Sequence, residues 1–134
     1  MKRPAGGFSL LEIMIVTLLV SILLTLALPA YRDQGSRVHR AIAVGTLLQA
    51  ASCQEQMRAA RGYYDAGGCR PADSSHYRYR YVPSDPGQTT TYTLVAEPLA
   101  AQGHDECGWL SLDQAGRQAV EQAAAGAARC WSGR

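Results

Sequence analysis

The chain has 134 residues, room for one small core and a membrane segment but not for two independent cores. Its formal charge is +2, from 13 basic and 11 acidic side chains. A balance this even gives no bulk attraction to nucleic acid.

Met1 to Gly7 carries Lys2 and Arg3 and no acid. Positive flanking charge stays in the cytoplasm, so the amino end is expected to face inward and the rest to be delivered outward. Phe8 to Leu28 is a run of 21 residues, apolar except for Ser9, Glu12, Thr17, Ser21 and Thr25. Hydroxyls of this kind can bond back to helical carbonyls. At the rise of an α-helix the run measures about 30 Å, one hydrocarbon thickness. A cleaved secretory signal would explain a basic start and an oily middle, with Leu28-Pro29-Ala30 as a poor cleavage site. Such signals, however, have an oily core of about 7 to 15 residues and no use for an acid inside it. A plain anchor would tolerate Glu12, which sits about one turn in from Phe8, where a carboxylate costs less than at the bilayer centre.

The stretch Gly7-Phe8-Ser9-Leu10-Leu11-Glu12 resembles the processing site of type IV prepilins, the Gly-Phe-(Ser/Thr)-Leu-x-Glu pattern cut after its glycine. The resemblance implies cleavage between Gly7 and Phe8 by a prepilin peptidase, N-methylation of Phe8, and Glu12 as the fifth residue of the mature chain. Loss of Lys2 and Arg3 with the leader leaves 11 basic against 11 acidic side chains. It also implies that the new amine of Phe8 pairs with the Glu12 of a neighbouring subunit as helices slide together. The physics agrees, because a charge in apolar surroundings is strongly favoured to find its opposite. Pro29 stands where prepilin-like helices commonly carry a proline, and Leu28-Pro29-Ala30-Tyr31 extends the match. The implied partners are other major and minor pilins and the inner-membrane assembly machinery. The implied location is the inner membrane, single pass, and then the pilus or cell surface.

Pro29 removes a helical hydrogen bond and predicts a kink. Beyond it Val38, Ala41, Ile42, Gly45, Leu48, Ala51 and Ser52 recur at steps of three and four, with Arg32, Asp33, Arg37 and Arg40 on other faces. This predicts an amphipathic helix to about Arg61, its small residues suited to a sheet. A helix continuous from Phe8 would be about 80 Å long.

Gly62 to Ser75 reads as an irregular loop. Four cysteines, Cys53, Cys69, Cys107 and Cys130, all follow the apolar run and lack Cys-x-x-Cys spacing. In an oxidising compartment two disulfides are the economical reading. Of three pairings, sequence proximity favours Cys53 with Cys69 and Cys107 with Cys130, each contributing about 3 kcal/mol. A zinc site with His76 or His104 is the alternative, without ligand spacing to support it. His76 to Val82 alternates, tyrosines 77, 79 and 81 one way and His76, Arg78, Arg80 and Val82 the other, which predicts a strand. Tyrosine beside arginine suggests nucleic acid, but alternation puts rings and guanidinium groups on opposite faces. A turn from Pro83 to Gly87, a second strand from Thr90 to Glu97, a third from Cys107 to Asp113 and a short fourth from Arg117 to Glu121 follow. An Ala-rich piece from Gln122 to Ala128 leads to the last cysteine.

The predicted fold is α+β. A long amino-terminal helix, half transmembrane and half amphipathic, packs on a small antiparallel sheet of three to four strands. The predicted division is a leader at 1–7, the transmembrane and assembly half of the helix at 8–29, and a periplasmic or extracellular head at 30–134. His39, His76 and His104 are scattered, and the sequence carries no nucleophile motif, phosphate loop or paired-carboxylate signature, so neither an enzyme nor a cofactor is implied. The chain is most similar to the PilE-type minor pilins of Gram-negative bacteria, structural subunits of a pilus used for motility and adhesion. A type II secretion pseudopilin is one alternative, for which Asp105-Glu106 is too slight a calcium loop. The other is a DNA-binding pilin, with Arg78 and Arg80 on a basic face.

Overall fold

The computed structural model describes residues 7–83, 90–122 and 126–132. Most of the leader, most of the expected Pro83 to Gly87 turn, and residues 123–125 of the Ala-rich piece lie outside the described residues. The chain divides into two compact units, Met1–Gln34 and Gly35–Arg134.

Helix α1 runs Leu10–Arg61 and contains Pro29. In the first unit it is long and apolar enough to cross a membrane, and none of its apolar stretch is buried. The hydroxyls inside that stretch are not left unpaired: Thr17 donates to the Met14 carbonyl, Ser21 to that of Thr17, and Thr25 to that of Ile22. Each of these three hydroxyls is thereby satisfied within the helix, as an apolar surrounding demands. α1 ends at Gly62, whose N–H donates to the Arg58 carbonyl at 2.8 Å. Gly62 has φ +83°, a left-handed residue that closes a helix at no Cβ cost.

In the second unit four strands follow: β1 Tyr77–Pro83, β2 Tyr92–Pro98, β3 Leu110–Asp113 and β4 Gln118–Val120. They pair in sequence order, each antiparallel to the next. The register sets Tyr79 opposite Ala96 and Leu94 opposite Leu112. Alternation then sends Tyr77, Tyr79, Tyr92, Leu94, Ala96, Leu110 and Leu112 into one core with Ala43, Val44, Leu47 and Ala50 of α1. A short helix α2, Ala127–Trp131, closes the carboxyl end, with the Trp131 indole donating to the Ala119 carbonyl at 3.2 Å.

Two expectations need correction. The apolar stripe of Val38, Ile42 and Leu48 does not pack on the sheet; these side chains are about half exposed. The buried face is instead Arg40, Ala43, Val44, Leu47, Ala50 and Gln54. Its two ends are polar, and each is buried because the fold brings it partners. Gln54 donates to the Asp65 carbonyl and accepts from the Asp65 N–H, at 2.7 and 3.0 Å. The third strand begins at Leu110 and not at Cys107. Residues before it turn: Gly108 has φ +63°, and a Cβ there would lie 2.7 Å from Glu121 Cβ and against its carboxylate, so only glycine fits.

The cysteines form two disulfides, Cys53–Cys69 and Cys107–Cys130, with Cα–Cα distances of 5.7 and 5.9 Å. The first ties α1 to the loop before β1. The second ties α2 to the turn before β3.

Candidate functional site

In the first unit Gly7 and Phe8 are exposed just ahead of α1, and Glu12 lies in its first turn. An acid there complements the positive end of the helix dipole, which offsets part of the cost of an apolar surrounding. Phe8, Glu12, Ile13, Val16 and Thr17 line a recess of about 280 Å³. One carboxylate thus stands in a concavity that is otherwise almost wholly apolar.

In the second unit the pleat of β1 leaves Arg78 and Arg80 exposed on one face and buries Tyr77 and Tyr79 on the other. Tyr81, the third ring of the series, is half-buried, stacking on Tyr92 with centroids 5.8 Å apart. β1 is an edge strand, so the rim of Tyr81 reaches the same concavity as the two arginines. That concavity measures about 700 Å³ and is lined by Ala66, Gly67, Arg70, Arg78, Arg80, Tyr81 and Glu97. The expected segregation of rings from guanidinium groups therefore holds for Tyr77 and Tyr79 and fails at Tyr81. Arg80 pairs with Glu97 at 2.7 Å. Arg78 has no ion-pair partner among the described residues, and Glu97 is the lone acid in the lining. Among the described residues three guanidinium groups stand against Glu97 in the lining and Asp73 beside Arg70, which leaves a local excess of positive charge although the whole chain is nearly balanced.

Arg70 was not singled out by sequence. It sits beside Cys69, in a loop that runs along the open edge of β1 and supplies that edge with partners. Asp73 accepts the Tyr79 N–H at 2.8 Å, the Ser74 hydroxyl accepts that of Tyr77 at 2.9 Å, and Arg70 Nε donates to the Tyr79 carbonyl at 3.3 Å. Side chains thus take the place of a missing neighbouring strand.

Behind this face lies a buried polar cluster. Arg40 pairs with Asp105, both side chains almost wholly enclosed. Asp105 also accepts from Tyr77, Gln102 and the Cys107 N–H, and Gln102 reaches the Ser36 carbonyl at 2.8 Å. Arg40 Nε and Nη2 have no hydrogen-bond partner among the described residues. Burial, with the Asp105 carboxylate adding to it, holds the Tyr77 phenol well above its ordinary range. His39 and His76 stack at 3.4 Å, a pairing their separation in sequence gave no sign of. Sequence could not reveal the Arg40–Asp105 pair either, since the partners are 65 positions apart.

The model of a family described as type IV minor pilin ComP, DNA uptake sequence receptor, matches residues 29–111. That is more than half of the chain. The chain belongs to the type IV minor pilins. The prokaryotic N-terminal methylation motif matches residues 2–28 of the pilin, the region of the leader and the apolar run. A type IV pilin from Shewanella oneidensis, known at high resolution, is similar over 62% of this pilin and 89% of its own length, at 30% identity and a TM-score of 0.55. That likeness agrees with the α+β reading of a long helix on a small antiparallel sheet. Among curated proteins nothing similar is found.

Proposed function

We propose that this minor pilin is a DNA-capturing subunit of a type IV pilus. The observation that carries the reading is the concavity beside β1, where Arg70, Arg78 and Arg80 stand with the half-exposed Tyr81, and Glu97 is the one acid among the described lining residues. Guanidinium groups spaced along a strand suit the repeating charge of a phosphate backbone, and an adjacent ring can pack on a sugar or base. The matched family is itself described as a DNA uptake sequence receptor. The near-zero total charge is no objection, since binding depends on the local field at the face that is offered. The test is retention of short duplex DNA by the full chain in a non-ionic detergent, over a range of salt. Affinity falls steeply with salt, and Arg78→Gln weakens it across sequences. Failure to retain DNA at low ionic strength overturns the reading.

The route to the pilus follows from the other end. Prepilin peptidase cuts between Gly7 and Phe8 and the Phe8 amine is methylated. The helix remains in the inner membrane with its amino end inward. The pilin then joins other major and minor pilins through the assembly machinery, with Glu12 meeting the amine of a neighbour and Pro29 standing at the membrane exit. Amino-terminal analysis of the mature protein tests this route: methylated Phe8 is expected, and a terminus at Tyr31 would mean an exported soluble domain instead.

A further inference from the structure

We propose that the Cys53–Cys69 disulfide is the positioning element of the basic concavity, placing Arg70 beside Arg78 and Arg80 so that three cations act on one phosphate backbone. The inference rests on the reading of that concavity as a DNA site.

The three arginines are held in different ways. Arg78 and Arg80 alternate along β1, so the sheet itself fixes their spacing, and Arg80 is further held by Glu97 at 2.7 Å. Arg70 belongs to no strand or helix. Its side chain makes one hydrogen bond at the long end of the range, 3.3 Å to the Tyr79 carbonyl. Its ion pair with Asp73 is longer still, 3.9 Å, with both side chains about half exposed. Contacts of that kind are weak and screened by salt.

The backbone is held better. Gln54 grips the loop at Asp65 by two hydrogen bonds, and Cys53, the residue before it on α1, is joined to Cys69. Between those two anchors lie Ala66, Gly67 and Gly68. A Cβ at Gly68 would come within 3.1 Å of Met57 Cε and 3.2 Å of Asp65 Oδ2, so the chain there packs closely under the Met57 side chain of α1. On its other side the loop is next held at Asp73 and Ser74, three and four residues beyond Arg70, by their hydrogen bonds to β1. The covalent link at Cys69 is therefore the backbone anchor nearest to Arg70 and sets where its guanidinium starts from. Cys107–Cys130 makes a useful contrast, because neither of its cysteines neighbours a lining residue of the concavity.

The experiment compares full-chain variants in non-ionic detergent by the slope of log affinity for duplex DNA against log salt. Arg70→Gln is expected to reduce the slope by about 0.9, one phosphate contact. The double variant Cys53→Ser/Cys69→Ser gives the same reduction, and adding Arg70→Gln to it changes the slope no further. Cys107→Ser/Cys130→Ser leaves the slope at the parental value. A glycine inserted between Cys69 and Arg70 keeps both disulfides yet displaces the guanidinium, and it too reduces the slope. This last variant decides the matter should the serine pair fail to fold. If the parent binds and either the folded Cys53/Cys69 variant or the insertion variant keeps its slope, the positioning role is overturned while the DNA reading stands. If the parent itself retains no DNA, it is the DNA reading that falls.

Discussion

At the scale of single residues the least expected feature is a cation in the core. Arg40 and Asp105 are enclosed together, and two of the Arg40 nitrogens lack partners among the described residues. Such a pair stabilises little on balance, because desolvation consumes most of the Coulomb gain. Breaking it on one side is another matter. Asp105→Asn is expected to cost about 3–5 kcal/mol by leaving Arg40 charged, buried and unopposed. Arg40→Met combined with Asp105→Asn recovers most of that loss, as a urea unfolding series on the full chain in non-ionic detergent would show. A second residue-scale effect concerns alkali. Burial, reinforced by the nearby Glu55 carboxylate, pushes the Tyr92 phenol up to about 12. A group whose folded value is raised binds its proton more tightly when folded. Its contribution to stability is therefore full below the ordinary tyrosine range near 10 and is lost as pH rises from about 10 towards 12. Tyr92→Phe keeps the ring beside Tyr64 and Tyr81 and removes the proton. Its melting temperature is expected to fall less steeply than that of the parent above pH about 10.

At the scale of elements, strands and helix ends were legible because their signals are local. Tyrosines alternating with arginines from 77 to 81 place β1, and Arg61-Gly62 places the end of α1 where a left-handed glycine closes it. What sequence did not disclose was which face of α1 meets the sheet. The bulkier stripe of Val38, Ile42 and Leu48 looks like the core face, whereas the buried stripe of small residues is masked by polar ends at Arg40 and Gln54. Those ends are core positions only because Asp105 and the backbone of Asp65 come to meet them, and such partners are set by tertiary folding. The basic concavity was half visible for the same reason. Arg78 and Arg80 stand out in the pattern, while Arg70 and the edge-wise reach of Tyr81 depend on the path of a loop. The carboxyl end makes an element-scale prediction. α2 is short and is held by Cys130, which is fully buried, and by the Trp131 indole on β4. Cys107→Ser/Cys130→Ser is expected to lower stability by about 3 kcal/mol. Trp131 emission then shifts to the red as the helix lifts from the sheet, with β1 to β3 retained by hydrogen exchange.

At the scale of the whole molecule the two units pose opposite problems. The head, Gly35–Arg134, buries its own apolar residues, whereas the apolar side chains from Phe8 to Leu28 are exposed throughout. Sixteen such residues are intolerable in water and at ease in lipid or among like helices, so this unit has two acceptable surroundings and must pass from one to the other. Apolar contact alone cannot set a register between smooth, similar helices, because sliding by a turn changes little. A charge can, since leaving it unpaired in an apolar surrounding costs several kcal/mol. Glu12 is the sole ionisable side chain between Phe8 and Leu28, so on the proposed route it decides where a neighbour stops. Glu12→Leu makes the segment more apolar, and insertion and cleavage at Gly7 are expected to proceed as in the parent. Incorporation into pili is expected to drop about tenfold or more, the equivalent of at least 1.4 kcal/mol of lost register energy. Immunoblots of sheared pili against membrane fractions separate the two steps. Equal amounts of the variant and the parent in the sheared fraction would mean that shape, and not charge, aligns the subunits.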